Sequence, residues 1–393
     1  MWDDYETKRR DKPYLWILFF LLLLGLSSIF IWRPGTGLRP VQEDPGVADK
    51  PVVTVIDEAT HGRPLFSADG VTGVWVAHAQ ADRIVVRFLS AFGDELWAET
   101  VPVADALIAS NGRYLVVGEV GQPKFYVYHA RQKLVGAISA PGGLQAVSIS
   151  QTGAVVAAFT VPAVDPLALR TEVALYSALG QQMWRHNLTE ALPIAIRQSA
   201  DGDTVAVLSL SFLQDLGGSL AVFSRHGERM FSQHLPGRPG LLALSDDGER
   251  IAVTVGNSIH VYSRQGDLIL RHDAGGAVES IGSLGQTPNL VFTMLRKSLL
   301  NLRPQHHVVV LGDKGQILSE HRSSQPIVAL GTRTGGSDIF IGTATSATLT
   351  TYSGEPRWSL SHVWQGEYRV STLDGANYLV IQHDGQVVQV RGD

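Results

Sequence analysis

The chain contains no cysteine. That absence excludes a disulfide framework, thiolate-held zinc and iron–sulfur sites, a thiol nucleophile and the acylated cysteine of a lipoprotein. A basic excess is also missing: 32 Lys and Arg stand against 37 Asp and Glu, a formal net charge of −5. Beyond residue 50 the balance is 25 basic to 30 acidic residues, so no positive field awaits nucleic acid and no such partner is expected. Neither a His-Glu-x-x-His spacing nor a Gly-x-Ser-x-Gly elbow occurs, which leaves zinc-protease and hydrolase chemistry without support. What is present is 45% hydrophobic residues with 40 Gly and 18 Pro among 393, the composition of a folded, turn-rich protein.

Residues 14–32 carry no charge. As a helix they would span roughly 28 Å, about the thickness of a bilayer's hydrocarbon core, and they predict one uncleaved transmembrane helix. Trp16 and Trp32 mark its interfacial ends, and Lys8, Arg9, Arg10 and Lys12 crowd the N-terminal flank against Arg33 and Arg39 beyond it. That asymmetry keeps residues 1–13 in the cytoplasm as a short stub. A cleaved signal peptide is the competing reading, but the run is long and no small-x-small site precedes the bulky residues at its end. Residues 33–50, rich in Pro, Gly and charge, read as a flexible linker reaching roughly 20 to 25 Å. The expected location of residues 51–393 is therefore the periplasm or another extracytoplasmic space, tethered to the inner membrane.

A unit recurs along those residues: Ser or Thr, a tight turn ending in Gly, then an apolar strand. Its copies open at Ser67, Ser110, Ser150, Ser199, Ser245, Ser283, Thr332 and Thr372. A second signature follows in most units, an alternating strand, a Ser-x-x-Gly turn and a strand opening on a large apolar residue, as in Phe88 to Trp97, Tyr176 to Trp184, Phe223 to Phe231 and Tyr262 to Leu270. Each unit thus supplies four strands, here called A to D. The last unit has three, and an isolated strand at Val52 to Ile56 is free to complete it. The expected fold is all-β, an eight-bladed β-propeller of four-stranded antiparallel blades, with seven blades as the alternative because the sixth unit is degenerate and the eighth short.

The Gly-x-x-x-Trp steps at Gly93 to Trp97, Gly180 to Trp184 and Gly354 to Trp358 resemble the repeat of quinoprotein-like propellers and of the bacterial outer-membrane assembly propeller. The Ser-x-Asp-Gly turns resemble those of WD40-like and TolB-like blades, although no blade carries the Trp-Asp dipeptide. The resemblance implies a rigid binding platform, and architecture by itself carries no activity.

His186, His234, His272, His321 and His362 recur near the end of strand D. A metal or pH-sensing role is one reading. A structural role within each blade is the favoured one, since equivalent positions on successive blades are spread around a ring. His306 and His307 are adjacent, so on a strand they point to opposite faces and cannot share an ion. No catalytic residue, metal site or cofactor is expected. Three units carry long B to C connections, Val161 to Arg170, Ser211 to Gly218 and Arg296 to Pro304, whose Leu167, Leu169, Phe212, Leu213, Leu216, Leu299, Leu300 and Leu302 would gather on one face. Such a cluster marks a contact surface for a protein partner in the cell envelope. The expected function is a non-catalytic, membrane-anchored interaction module or scaffold, with an envelope enzyme working at the central channel, or a ligand-sensing subunit, as alternatives.

Overall fold

The computed structural model describes residues 52–57, 63–70, 73–90, 92–162, 170–189, 191–211, 217–282, 289–296, 304–332, 338–361, 369–372, 377–381 and 387–391. The stub, the apolar run 14–32 and the linker 33–50 lie outside them, as do Arg9, Arg10, Trp16 and Trp32. Among the described residues no helix is long and apolar enough to cross a membrane. The chain divides into two units, Met1–Val47 and Ala48–Asp393, and all that follows concerns the second.

Every described regular element is a strand, and the strands form eight four-stranded antiparallel sheets. Sheet I is β2 (Arg63–Gly70), β3 (Gly73–Gln80), β4 (Arg83–Ser90) and β5 (Glu95–Val101). Sheet II is β6 (Ala106–Ser110), β7 (Tyr114–Glu119), β8 (Lys124–His129) and β9 (Lys133–Ser139). Sheet III is β10 (Gly143–Ile149), β11 (Val155–Val161), β12 (Arg170–Tyr176) and β13 (Gln182–Thr189). Sheet IV is β14 (Ala191–Gln198), β15 (Thr204–Ser211), β16 (Gly218–Ser224) and β17 (Arg229–Leu235). Sheet V is β18 (Pro239–Leu244), β19 (Arg250–Val255), β20 (Ser258–Ser263) and β21 (Leu268–Asp273). Sheet VI is β22 (Ala277–Ile281), β23 (Leu290–Arg296), β24 (Gln305–Leu311) and β25 (Ile317–Ser323). Sheet VII is β26 (Ile327–Thr332), β27 (Asp338–Thr343), β28 (Ser346–Thr351) and β29 (Pro356–Ser361). Sheet VIII joins β30 (Arg369–Thr372), β31 (Asn377–Ile381) and β32 (Val387–Arg391) to β1 (Val52–Asp57), which pairs antiparallel with β32 and takes the place of strand D.

Burial explains why strand B reads as an unbroken apolar run and strand D does not. Val74 to Ala77 and Val155 to Phe159 are fully covered, because each B strand is overlaid on both faces by neighbouring sheets. Strand D is the outer edge and buries alternate residues, as β5 does with Trp97 and Val101. Between sheets I and II, Trp75, Phe88, Trp97 and Tyr128 pack with ring centroids 4.8 to 6.3 Å apart. Each such contact adds about 0.5–1.5 kcal/mol beyond the area it buries.

The repeated turns have chemical causes. In the A to B turns, Asp201 accepts from the Ser199 hydroxyl and from the Asp203 amide, while Thr204 donates its amide to Ser199 Oγ. Asp247 and Ser245 do the same one sheet on, so these Asp-Gly carboxylates are occupied in closing turns. In the C to D turns, Gly93, Gly180, Gly227, Gly266, Gly315 and Gly354 have φ between 78° and 98°, and a register shift follows in the ladder. This is a tight turn closed by a left-handed residue and a bulge.

Those glycines also receive the neighbouring blade. A Cβ on Gly227 would lie 2.7 Å from the Trp184 ring, and one on Gly266 would lie 2.9 Å from Phe231. Trp184 donates its indole N–H to the Arg225 carbonyl of the same turn at 3.0 Å, as Trp97 does to Ala130 at 2.9 Å. The large residue that opens strand D in one sheet therefore docks into the C to D turn of the next. Trp358 of sheet VII is the exception: its indole nitrogen is buried with no hydrogen-bond partner. The next sheet has no C to D turn to offer, because its C and D strands, β32 and β1, come from opposite ends of the domain.

Candidate functional site

Antiparallel order within each sheet puts the A to B and C to D turns at one end and the B to C connections at the other. Leu167, Leu169, Phe212, Leu213, Leu216, Leu299, Leu300 and Leu302 lie outside the described residues. The roots of their loops are described. Pairing runs to the last strand residue at Val161 with Arg170 and at Arg296 with Gln305, and Ser211 donates its amide to the Gly217 carbonyl at 3.0 Å. Elsewhere at this end the connections are as short as Gln80 to Arg83 and Val255 to Ser258.

Two of the three roots hold clusters built around covered polar side chains. In sheet III, Glu172 is covered and meets Arg170 at 2.7 Å and Arg185 at 3.5 Å. In sheet VI, His306 Nδ1 lies 3.0 Å from Glu279, and His307 Nδ1 lies 2.6 Å from Glu320, which also accepts from Arg322 at 3.0 Å. The two adjacent histidines thus face different carboxylates on opposite sides of β24, as strand geometry requires. Burial pushes the Glu320 carboxyl up, but hydrogen bonds from Arg322 and His307 and their charges outweigh it and hold it below the ordinary range. His307 Nε2 is buried without a partner. No group of three potential ligands that could hold a metal occurs among the described residues.

Two of the strand-D histidines, His186 and His272, meet rings of the following sheet. His186 lies on β13, stacks on Phe223 of the next sheet at 4.9 Å and places Nε2 2.6 Å from the Gly227 carbonyl. His272 on β21 meets the Phe292 ring at 5.9 Å across the next junction. His321 on β25 is held below its usual pKa by burial. His234, on β17, packs where a Cβ on Gly217 would be 2.9 Å from its ring. His362 lies outside the described residues.

Exposed apolar side chains gather at the other end of the sheets. Phe92 and Leu179 sit in C to D turns, and Leu96, Leu134, Met183, Leu268, Ile269, Ile317 and Leu318 occupy the opening residues of D strands. Sequence reasoning passed over them because the same motif positions serve the hairpin itself. A cavity of about 130 Å³ opens between sheets V and VI, lined by residues that include Ile269, Leu270, Leu290 and Asp313.

Comparison with solved structures places this geometry. BamB from Moraxella catarrhalis superposes with a TM-score of 0.55 at 13% identity, covering 88% of this chain and 100% of that one. The C-terminal WD40 domain of Sif2 gives 0.61 at 10% identity, with 88% and 100% covered. The fold is that of a β-propeller. A computationally designed protein, Ika8, gives 0.58 at 17% identity over 84% of this chain and 100% of its own. A family of unknown function (DUF5711) matches residues 80–216, from the end of β3 into the connection after β15. No curated protein sequence matches the chain.

Proposed function

We propose that this is a membrane-tethered, extracytoplasmic propeller of eight blades closed by β1, acting as a non-catalytic interaction module for a protein partner in the cell envelope. The observation that carries the reading is the placement of the three long B to C connections. All three leave the same end of the sheets, from paired strand ends, and two of those roots are braced at a largely covered carboxylate, Glu172 by Arg170 and Glu320 by His307 and Arg322. Braced roots that carry connections of apolar sequence suit a docking face, since little order is lost on binding when the supports are already fixed. The apolar run at 14–32, with basic residues before it, supports the tether. Similarity to BamB and to the WD40 domain of Sif2 supports the propeller scaffold on which the reading is built.

The test is co-purification from cross-linked cells. Replacing Phe212, Leu213, Leu299 and Leu300 together by Ser is expected to leave the circular dichroism of the domain unchanged and to abolish recovery of the partner. A partner recovered undiminished by that variant removes the B to C face from consideration. A chain that purifies alone with a chromophore or metal favours the enzyme reading instead.

A further inference from the structure

The C to D turns of sheets I and III carry Phe92 and Leu179 at the same turn position, immediately before the left-handed glycine. They are 89% and 78% exposed. The equivalent residues of sheets IV to VII are His226, Gln265, Lys314 and Ser353, so the turn itself asks for no apolar side chain there. Sheet II, between the two, presents exposed Arg131 and Lys133 at the same end, and Leu96 and Met183 extend the apolar strip along β5 and β13. Exposed Asp94 and Glu95 follow Phe92, but carboxylates are more numerous on sheets IV and V, whose A to B turns carry Asp201, Asp203, Asp247 and Glu249, with Asp203 and Glu249 paired to Arg225 and Arg264.

The chain also joins the domain at this end. Val52 opens β1 opposite Arg391, the last residue of β32, and a C strand finishes at the C to D end. The first strands of sheets VIII and I, β30 and β2, are direct neighbours, so Val52 lies in the sheet next to the one that bears Phe92.

We infer that the C to D rim of sheets I to III rests on the bilayer, with Phe92 and Leu179 inserted at headgroup depth and Arg131 and Lys133 on anionic lipid phosphates. This rests on the membrane-anchored reading above. Apolar tips interleaved with basic residues fit an anionic lipid surface, whose contacts combine buried apolar area with attraction to phosphate. The sector richer in carboxylates is turned away from that charge, and the chain enters the domain at this end. The B to C end of the sheets then faces away from the lipid.

The absence of native cysteine makes the test clean. The full chain, carrying Phe92→Cys, Leu179→Cys, Gln265→Cys or Asn257→Cys labelled with an environment-sensitive fluorophore, is reconstituted in vesicles of phosphatidylglycerol and acyl-brominated phosphatidylcholine. Labels at 92 and 179 are expected to shift to the blue and lose fluorescence to the bromines. Those at 265, the same turn position on sheet V, and at 257, at the opposite end, are expected to do neither. Equal, unquenched signals from all four sites in a chain that resists carbonate extraction overturn the inference while the anchor stands. If carbonate releases the chain, the anchor reading fails, and labelled chain added to preformed vesicles decides the rim: quenching at 92 and 179 keeps it and its absence overturns it. Shielding of 92 and 179 in native membranes but not in lipid vesicles assigns the rim to a protein and overturns the inference.

Discussion

Docking of one blade into the next gives a prediction with an internal control. Gly227 has φ +85° and would place a Cβ 2.7 Å from the Trp184 ring, whereas Gly256 has φ +59° with nothing within 4 Å of its Cβ. Alanine at either position pays for a left-handed backbone, about 1–2 kcal/mol. Only at Gly227 must it also displace a packed indole, an overpacking cost of about 1–3 kcal/mol. Gly227→Ala is therefore expected to lose about 2–5 kcal/mol in all, and Gly256→Ala only the backbone share. Urea unfolding of the full chain in nanodiscs, followed by circular dichroism in the strand region, reads the difference as a separation of midpoints. In a Trp184→Ala background the two alanine substitutions should cost the same, because the obstacle has gone. Equal losses in the native background, or an undiminished Gly227 penalty without the indole, would refute the docking account.

Glu320→Gln should cost about 1–3 kcal/mol, since His307 and Arg322 lose a charged acceptor inside the sheet, and the acid limb of the stability profile should flatten; a denaturation midpoint unchanged at neutral pH counts against the cluster. Stability should also fall on acidification. Burial, first among the causes, holds His129, His260, His272 and His321 below the ordinary 6.5, so the unfolded chain takes up protons first and stability drops as pH falls through and below that value. Glu320 acts in the same direction lower down, its contribution being lost as pH falls from the ordinary 4.5 through its depressed folded value. Melting temperatures that stay level from pH 7 to about 4.5 would contradict the histidine assignment, and a profile that stays level below that would contradict the one for Glu320. Prolines at both Val53 and Thr54, one of whose amides antiparallel geometry directs at β32, should make the seam between β1 and β32 susceptible to protease while the other sheets resist; uniform resistance would argue against β1 as the closing strand.

Much of the fold is legible because its punctuation is chemically obligatory. Ser199, Asp201 and Gly202 appear in that order since one hydroxyl, one carboxylate and one left-handed residue close the turn, and the same need repeats at Ser245, Asp247 and Gly248. Adjacent His306 and His307 also announce opposite faces. Their partners do not announce themselves: Glu279 and Glu320 lie 27 and 13 residues away on different strands, a pairing that only the lateral order of strands creates. Phe92 shows the opposite difficulty. It sits inside the motif that also places buried Trp97, and a linear pattern cannot tell a residue that points out of a turn from one that docks into the neighbouring sheet.

The seam between β1 and β32 has a consequence for how the chain reaches its native state. Strand Val52–Asp57 leaves the ribosome long before its pairing partner Val387–Arg391 is made. Joining ends roughly 330 residues apart costs only about 2 kcal/mol more than closing a 30-residue loop. The burden is instead one of time: until β32 is made, β1 has no partner and the fold keeps an unpaired edge, the kind of surface that invites aggregation and chaperone capture. Seven sheets can form as they emerge, but closure of the eighth waits for β32. Loss of even part of that strand should turn a long-lived fold into one that opens repeatedly at this seam.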